Sequence, residues 1–162
     1  MSGTNTQHNT INGGFTLVEL LITMVIAVIL ATVAVPSFSS YIDNQRVRAG
    51  AQDLYSALQY ARSEAVKRNA DVVVASTDWA ADGWSVSADG NVIRQHEGLD
   101  GLTVVNSTSD RLVFESNGRL AAKGSQRIEL CDTAREGRVS KRRVEIGPSG
   151  QPRIGLDGDC SN

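Results

Sequence analysis

One carboxylate stands alone in an otherwise apolar run. Glu19 closes the stretch Gly13-Gly14-Phe15-Thr16-Leu17-Val18-Glu19, and the side chains that follow stay predominantly apolar to Val35. A helix from Phe15 to Val35 would span about 31 Å at 1.5 Å per residue, roughly the thickness of one hydrocarbon core. A glutamate at such depth costs ~2.5–3.5 kcal/mol on insertion scales unless something neutralises it. Its chemistry is therefore the recruitment of a cation. The segment holds no Lys, Arg or His, so the partner must be a chain terminus or a group on another molecule.

The remaining chemically capable residues are sparse. The histidines are His8 and His96, and the cysteines are Cys131 and Cys160. Their spacing fits neither a redox CxxC pair nor a zinc site. Ser63, within Arg62-Ser63-Glu64, would need a base to act as a nucleophile, and His96 has no recognisable acid partner at triad-like spacing. Arg62 and Glu64 read as exposed helix charges, and Ser63 as a small residue near the sheet. The pairs Asp82-Gly83, Asp89-Gly90, Asp100-Gly101 and Asp157-Gly158 are turn chemistry first. They do not gather into one loop with calcium-ligand spacing. With no phosphate-binding glycine loop and no paired catalytic carboxylates, the expectation is a protein without enzymatic activity, metal or cofactor.

The net charge is −2, which implies no global attraction to nucleic acid. Charge is nevertheless uneven. Arg135, Arg138, Lys141, Arg142, Arg143 and Arg153 outnumber Asp132, Glu136 and Glu145 in the final third. Such a patch can neutralise phosphates without reading bases. Arg142 and Arg143 are adjacent, so on a strand they would point to opposite faces.

The N-terminal residues resemble a known signature. Gly14 followed by Phe15-Thr16-Leu17-Val18-Glu19 is similar to the cleavage and methylation site of type IV pilins and type II secretion pseudopilins. The resemblance implies that a prepilin peptidase cuts between Gly14 and Phe15 and that Phe15 is then N-methylated. It also implies that Glu19 pairs with the N-terminal ammonium of a neighbouring subunit. Pro36 falls where these helices usually carry a proline. The leader Met1 to Gly14 departs from the pattern in having no Lys or Arg.

Further along, Leu54 to Ala65, with Ala61-Arg62-Ser63-Glu64-Ala65, resembles the GspH/FimT/FimU group. Phe114-Glu115-Ser116-Asn117-Gly118-Arg119 is similar to that group's Phe-x-x-x-Gly turn, and Gly150-Gln151-Pro152-Arg153 to its Gly-Arg-x-Arg ending, with Gln151 in place of the first Arg. The group implies minor pilins, held in the inner membrane by a single pass with the globular part in the periplasm. Its implied partners are other pilins or pseudopilins, the prepilin peptidase and the inner-membrane assembly platform. Some members bind double-stranded DNA, which makes Arg138, Lys141, Arg142, Arg143 and Arg153 the candidate contacts here. In an oxidising periplasm Cys131 and Cys160 are expected to form a disulfide. Closing a loop of about 30 residues contributes roughly 3–4 kcal/mol. Two buried free thiols are the alternative.

The elements that must position these residues follow from periodicity. Val47, Ala51, Leu54, Tyr55, Leu58, Ala61 and Ala65 recur at helical spacing. The helix is expected to run from Phe15 to about Asn69, near 80 Å, with Pro36 bending it gently. Beyond Asp71 the period becomes that of strands: Val72–Val74, Trp84–Ser87, Val92–Arg94, Leu102–Val105, Leu112–Phe114, Ile128–Leu130, Arg143–Ile146 and Arg153-Ile154. The expected fold class is α+β: a long N-terminal helix packed on an antiparallel sheet domain. Four segments follow: leader 1–14, membrane or filament-core helix 15–35, amphipathic continuation 36–70 and β-rich globular part 71–162. The expected function is a minor subunit assembled at or near the tip of a type IV pilus. The alternatives are a GspH-like pseudopilin of type II secretion and a DNA-binding minor pilin for DNA uptake.

Overall fold

The computed structural model describes residues 14–133 and 140–160; of these, the side chains of residues 33–37, 39, 140, 157 and 159 lie outside the description. The chain forms two compact units, residues 1–38 and residues 39–162. Helix α1, Leu17–Arg68, begins in the first unit, passes Pro36 without interruption and ends in the second. Its end is built locally. Asn69 adopts a left-handed conformation, with φ 51°. The Asn69 amide reaches the Val66 carbonyl at 3.3 Å and the Ala70 amide reaches that of Ala65 at 3.3 Å. That double closure satisfies carbonyls that the last turn would leave open.

Eight strands complete the second unit: β1 Val72–Ala75, β2 Trp84–Ala88, β3 Asn91–His96, β4 Leu102–Ser107, β5 Arg111–Phe114, β6 Gln126–Asp132, β7 Ser140–Ile146 and β8 Pro152–Asp159. They make two four-stranded antiparallel sheets, ordered β3-β2-β1-β5 and β4-β6-β7-β8. Asp89 and Gly90 join β2 to β3 with φ of 52° and 75°, the sign that a tight hairpin requires. Each expected strand segment lies on one of these strands.

One hydrophobic core unites the sheets and the helix. Val47, Ala51, Leu54, Leu58, Ala61 and Ala65 bury one stripe of α1 against alternate residues of the sheets, among them Val72, Val74, Trp84, Val86, Phe114, Ile128, Leu130, Val144 and Ile146. Removing such side chains from water at about 25 cal/mol per Å² is the main force holding the unit together. Gly50 is buried within the stripe, because a Cβ there would meet Cδ1 of Leu102 at 2.5 Å and of Leu99 at 3.1 Å.

Candidate functional site

The N-terminal signature sits at a defined helix start. Gly14, Phe15 and Thr16 precede the helix, and the Glu19 amide donates to the Thr16 hydroxyl oxygen at 3.2 Å. Thr16 is thus the N-cap and Glu19 the third helical residue, the Thr-x-x-Glu spacing of a capping box. The carboxylate also lies in the first turn, where the helix dipole favours negative charge. The Gly14–Phe15 bond lies outside the helix. A Cβ on Gly14 would meet nothing within 4 Å.

Around Glu19 the apolar side chains of Phe15, Leu17, Val18, Leu20, Leu21 and Ile22 are all exposed. No cation pairs with Glu19 among the described residues. Nor, among those residues, is any helix long and apolar enough to cross a membrane. The span expected over 15–35 therefore stays a reading of the sequence. Pro36 lies within α1, and its side chain is outside the described residues.

At the other end of α1, three stretches of sequence meet. Arg62 Nε donates to the Gly118 carbonyl at 3.1 Å. Gly118 and Gly150 both have φ 75° and both are buried. A Cβ on Gly150 would collide with that same Gly118 carbonyl, and one on Gly118 would lie 2.8 Å from Val66 Cγ2. The Leu120 amide adds a bond of 3.2 Å to the Pro148 carbonyl. The helix end, the turn after β5 and the turn before β8 are thereby locked in one stack.

Several expectations are corrected here. Glu64 is buried rather than exposed, because Arg68 Nε lies 2.7 Å and Lys67 Nζ 3.5 Å from its carboxylate. The hydrogen bond from Arg68, with help from Lys67, holds the Glu64 carboxyl below the usual carboxylate range against the opposing effect of burial. Arg62 is half-buried as a tie, not a solvated charge. Ser63 is exposed, with its hydroxyl donating to the Tyr60 carbonyl at 2.8 Å. His96 does have a carboxylate neighbour: Nε2 is 4.0 Å from Asp53 Oδ2, while the ring stacks on Trp84 at 4.1 Å. A further buried charge escaped the sequence reading. Asp132 is wholly buried and accepts from Arg46 Nη1 at 2.9 Å, tying α1 to the end of β6.

The basic stretch divides by strand parity. Arg142 stands opposite Leu130 and Leu156, and Arg143 opposite Glu129 and Gly155. Lys141 Nζ is 3.3 Å from Glu129 Oε2, with Arg127 Nη1 4.0 Å from the other oxygen. Arg143 Nε is 3.7 Å from Glu145 Oε2. Arg153 is exposed on β8, and Arg138 lies outside the described residues. Cys131 and Cys160 form the expected disulfide, with Cα atoms 5.8 Å apart.

The model of the family described as type II transport protein GspH matches residues 50–150. The chain belongs to the GspH family. The prokaryotic N-terminal methylation motif matches residues 10–35. Together the family and the motif imply a membrane-anchored pilin that assembles into a filament. The fold of this GspH-family chain is similar to two crystal structures of the Pseudomonas aeruginosa type IV minor pilin FimU. One, in space group P21, is 23% identical with a TM-score of 0.61 and covers 74% of this chain and 98% of that one. The other, in P65, is 24% identical with a TM-score of 0.58 and covers 70% and 98%. No curated protein matches the chain significantly.

Within the GspH-family domain, Arg62, Gly118 and Gly150 belong to three separate sequence motifs. Their convergence was not legible from spacing alone. The one available signal was the pair of Gly residues flanked by turn formers, Ser116-Asn117-Gly118 and Pro148-Ser149-Gly150.

Proposed function

We propose that this chain is a minor pilin whose work is architectural rather than catalytic. It is cut between Gly14 and Phe15 by a prepilin peptidase and N-methylated on Phe15. A single pass holds it in the inner membrane with the second unit in the periplasm. The assembly platform then incorporates it at or near the tip of a type IV pilus, where it helps initiate the filament. One observation carries this reading: Glu19 sits in the first turn of an exposed apolar helix with no cation of its own among the described residues. The N-terminal ammonium of a neighbouring subunit supplies that cation. Substituting Glu19→Ala should leave membrane insertion intact and abolish recovery in sheared filaments. Normal incorporation of the variant would overturn the mechanism.

The FimU-like fold supports the pilus. The family's description supports the alternative of a type II secretion pseudopilus, built by the same N-terminal chemistry. A second reading, capture of double-stranded DNA, is supported by the outer face of the second sheet. Arg127, Lys141, Arg143 and Arg153 stand there against Glu129 and Glu145.

A further inference from the structure

Where β7 turns into β8, the second sheet ends in a cavity of about 220 Å³ lined by Ser125, Glu145, Gly147, Ser149, Gln151 and Arg153. Arg153 stands opposite Glu145 in the strand register, yet the Glu145 carboxylate lies 3.7 Å from Arg143. The Arg153 guanidinium has no ion pair among the described residues, and the side chains of Ser125, Ser149 and Gln151 have no hydrogen bond among them. The wall thus offers a planar cationic fork, two hydroxyls, an amide and one carboxylate acceptor.

Those groups select a ligand by elimination. A bare anion could take donors from Arg153, Ser125, Ser149 and Gln151 but would offer the Glu145 carboxylate nothing to accept. A neutral sugar would leave the guanidinium, the strongest group present, without a charged partner. A cation would meet Arg153. A ring bearing one carboxylate and several hydroxyls uses every wall group: the carboxylate on Arg153, the hydroxyls shared among Glu145, Ser125, Ser149 and Gln151. The cavity is smaller than the roughly 300–1,000 Å³ of most drug-sized pockets, which suits one sugar ring.

We propose that this cavity is a subsite for an acidic sugar residue, the end or an exposed unit of an acidic polysaccharide. The proposal goes beyond the assembly role and stands without it. It shares Arg153 with the DNA reading, so the test separates the two.

The full-length chain in detergent micelles is titrated with sodium glucuronate, glucose and sodium acetate, and separately with a short DNA duplex. Saturable binding of glucuronate at least about tenfold tighter than either glucose or acetate is expected, tenfold being about 1.4 kcal/mol. Arg153→Gln should remove that margin, Gln151→Ala should narrow it, and Arg111→Gln, on the other sheet, should leave it unchanged. Glucuronate binding no tighter than acetate would show that the hydroxyl contacts are wrong and overturn the site. Binding indifferent to Arg153→Gln would do the same. Arg153-dependent binding of duplex without saturable glucuronate binding would assign the arginine to phosphodiesters and also end the proposal.

Discussion

Gly150 shows how far a single hydrogen atom can matter. Its φ of 75° is open to glycine, and its Cα face rests on the carbonyl of Gly118. That carbonyl already accepts from Arg62 and cannot retreat without breaking the tie to α1. Gly150→Ala should therefore destabilise by about 2–4 kcal/mol, from backbone strain and overpacking together. Gly124→Ala, where a Cβ would meet nothing within 4 Å and φ is not positive, should stay within about 0.5 kcal/mol. Parallel urea titrations check the contrast. Glu64 gives a pH signature at the same scale. Its folded pKa lies below the unfolded value, so its contribution is present above about pH 4.5 and is lost as pH falls through the folded pKa. Glu64→Gln should flatten that part of the stability-versus-pH curve. A curve of unchanged slope would mean that the Arg68 contact contributes nothing.

Among the elements, the strands were legible and their partners were not. Alternation in Leu112-Val113-Phe114 or Trp84-Ser85-Val86-Ser87 reports which face is buried. It is silent about β5 joining β1, or β4 joining β6, because those pairings follow from how two sheets cover one helix stripe. Charge was misread for a related reason. Glu64 and Asp132 have side chains that favour water, yet each is buried beside an arginine. For Asp132 that arginine, Arg46, is distant in sequence. At the N-terminus the reverse holds, since the helix start is set by near neighbours in sequence, Thr16 and Glu19. The disulfide belongs to this scale too. It joins β6 to the end of β8 across a sequence separation of 29. Replacing both cysteines by serine should cost about 3–4 kcal/mol by the chain-entropy argument. That predicts a fall in Tm of roughly 10 °C, read by calorimetry.

The whole molecule is slightly acidic, with net charge −2, so attraction to a polyanion needs a local cluster of cations such as the outer face of the second sheet. Four unopposed cations there would give a slope of log K against log salt of about −4 on duplex DNA. Glu129 and Glu145 neutralise part of that face, and a slope nearer about −2 is expected for the full-length chain in detergent. Absence of binding at about 50 mM salt would remove DNA capture as a reading. The charge excess in the final third was visible in the sequence. That Lys141 has Glu129 beside it was not, because the pairing of β7 with β6 decides it, whereas Glu145 beside Arg143 follows from alternation along β7.

The contact between Gly118 and Gly150 also constrains how chains of this kind can diversify. Surface turns are usually where sequences drift freely, one substitution at a time. Here two turns from distant parts of the sequence share one volume, and that volume is already full. Gly150 cannot gain a side chain unless the Gly118 carbonyl gives way, and Gly118 cannot unless Val66 and Arg62 of α1 do, so a single-step path through sequence space is closed at both. Variation is directed instead toward tips such as Asp89-Gly90, where added bulk meets open solvent and only the local backbone must be respected. An inserted peptide tag should be carried at that hairpin and rejected at the paired glycines.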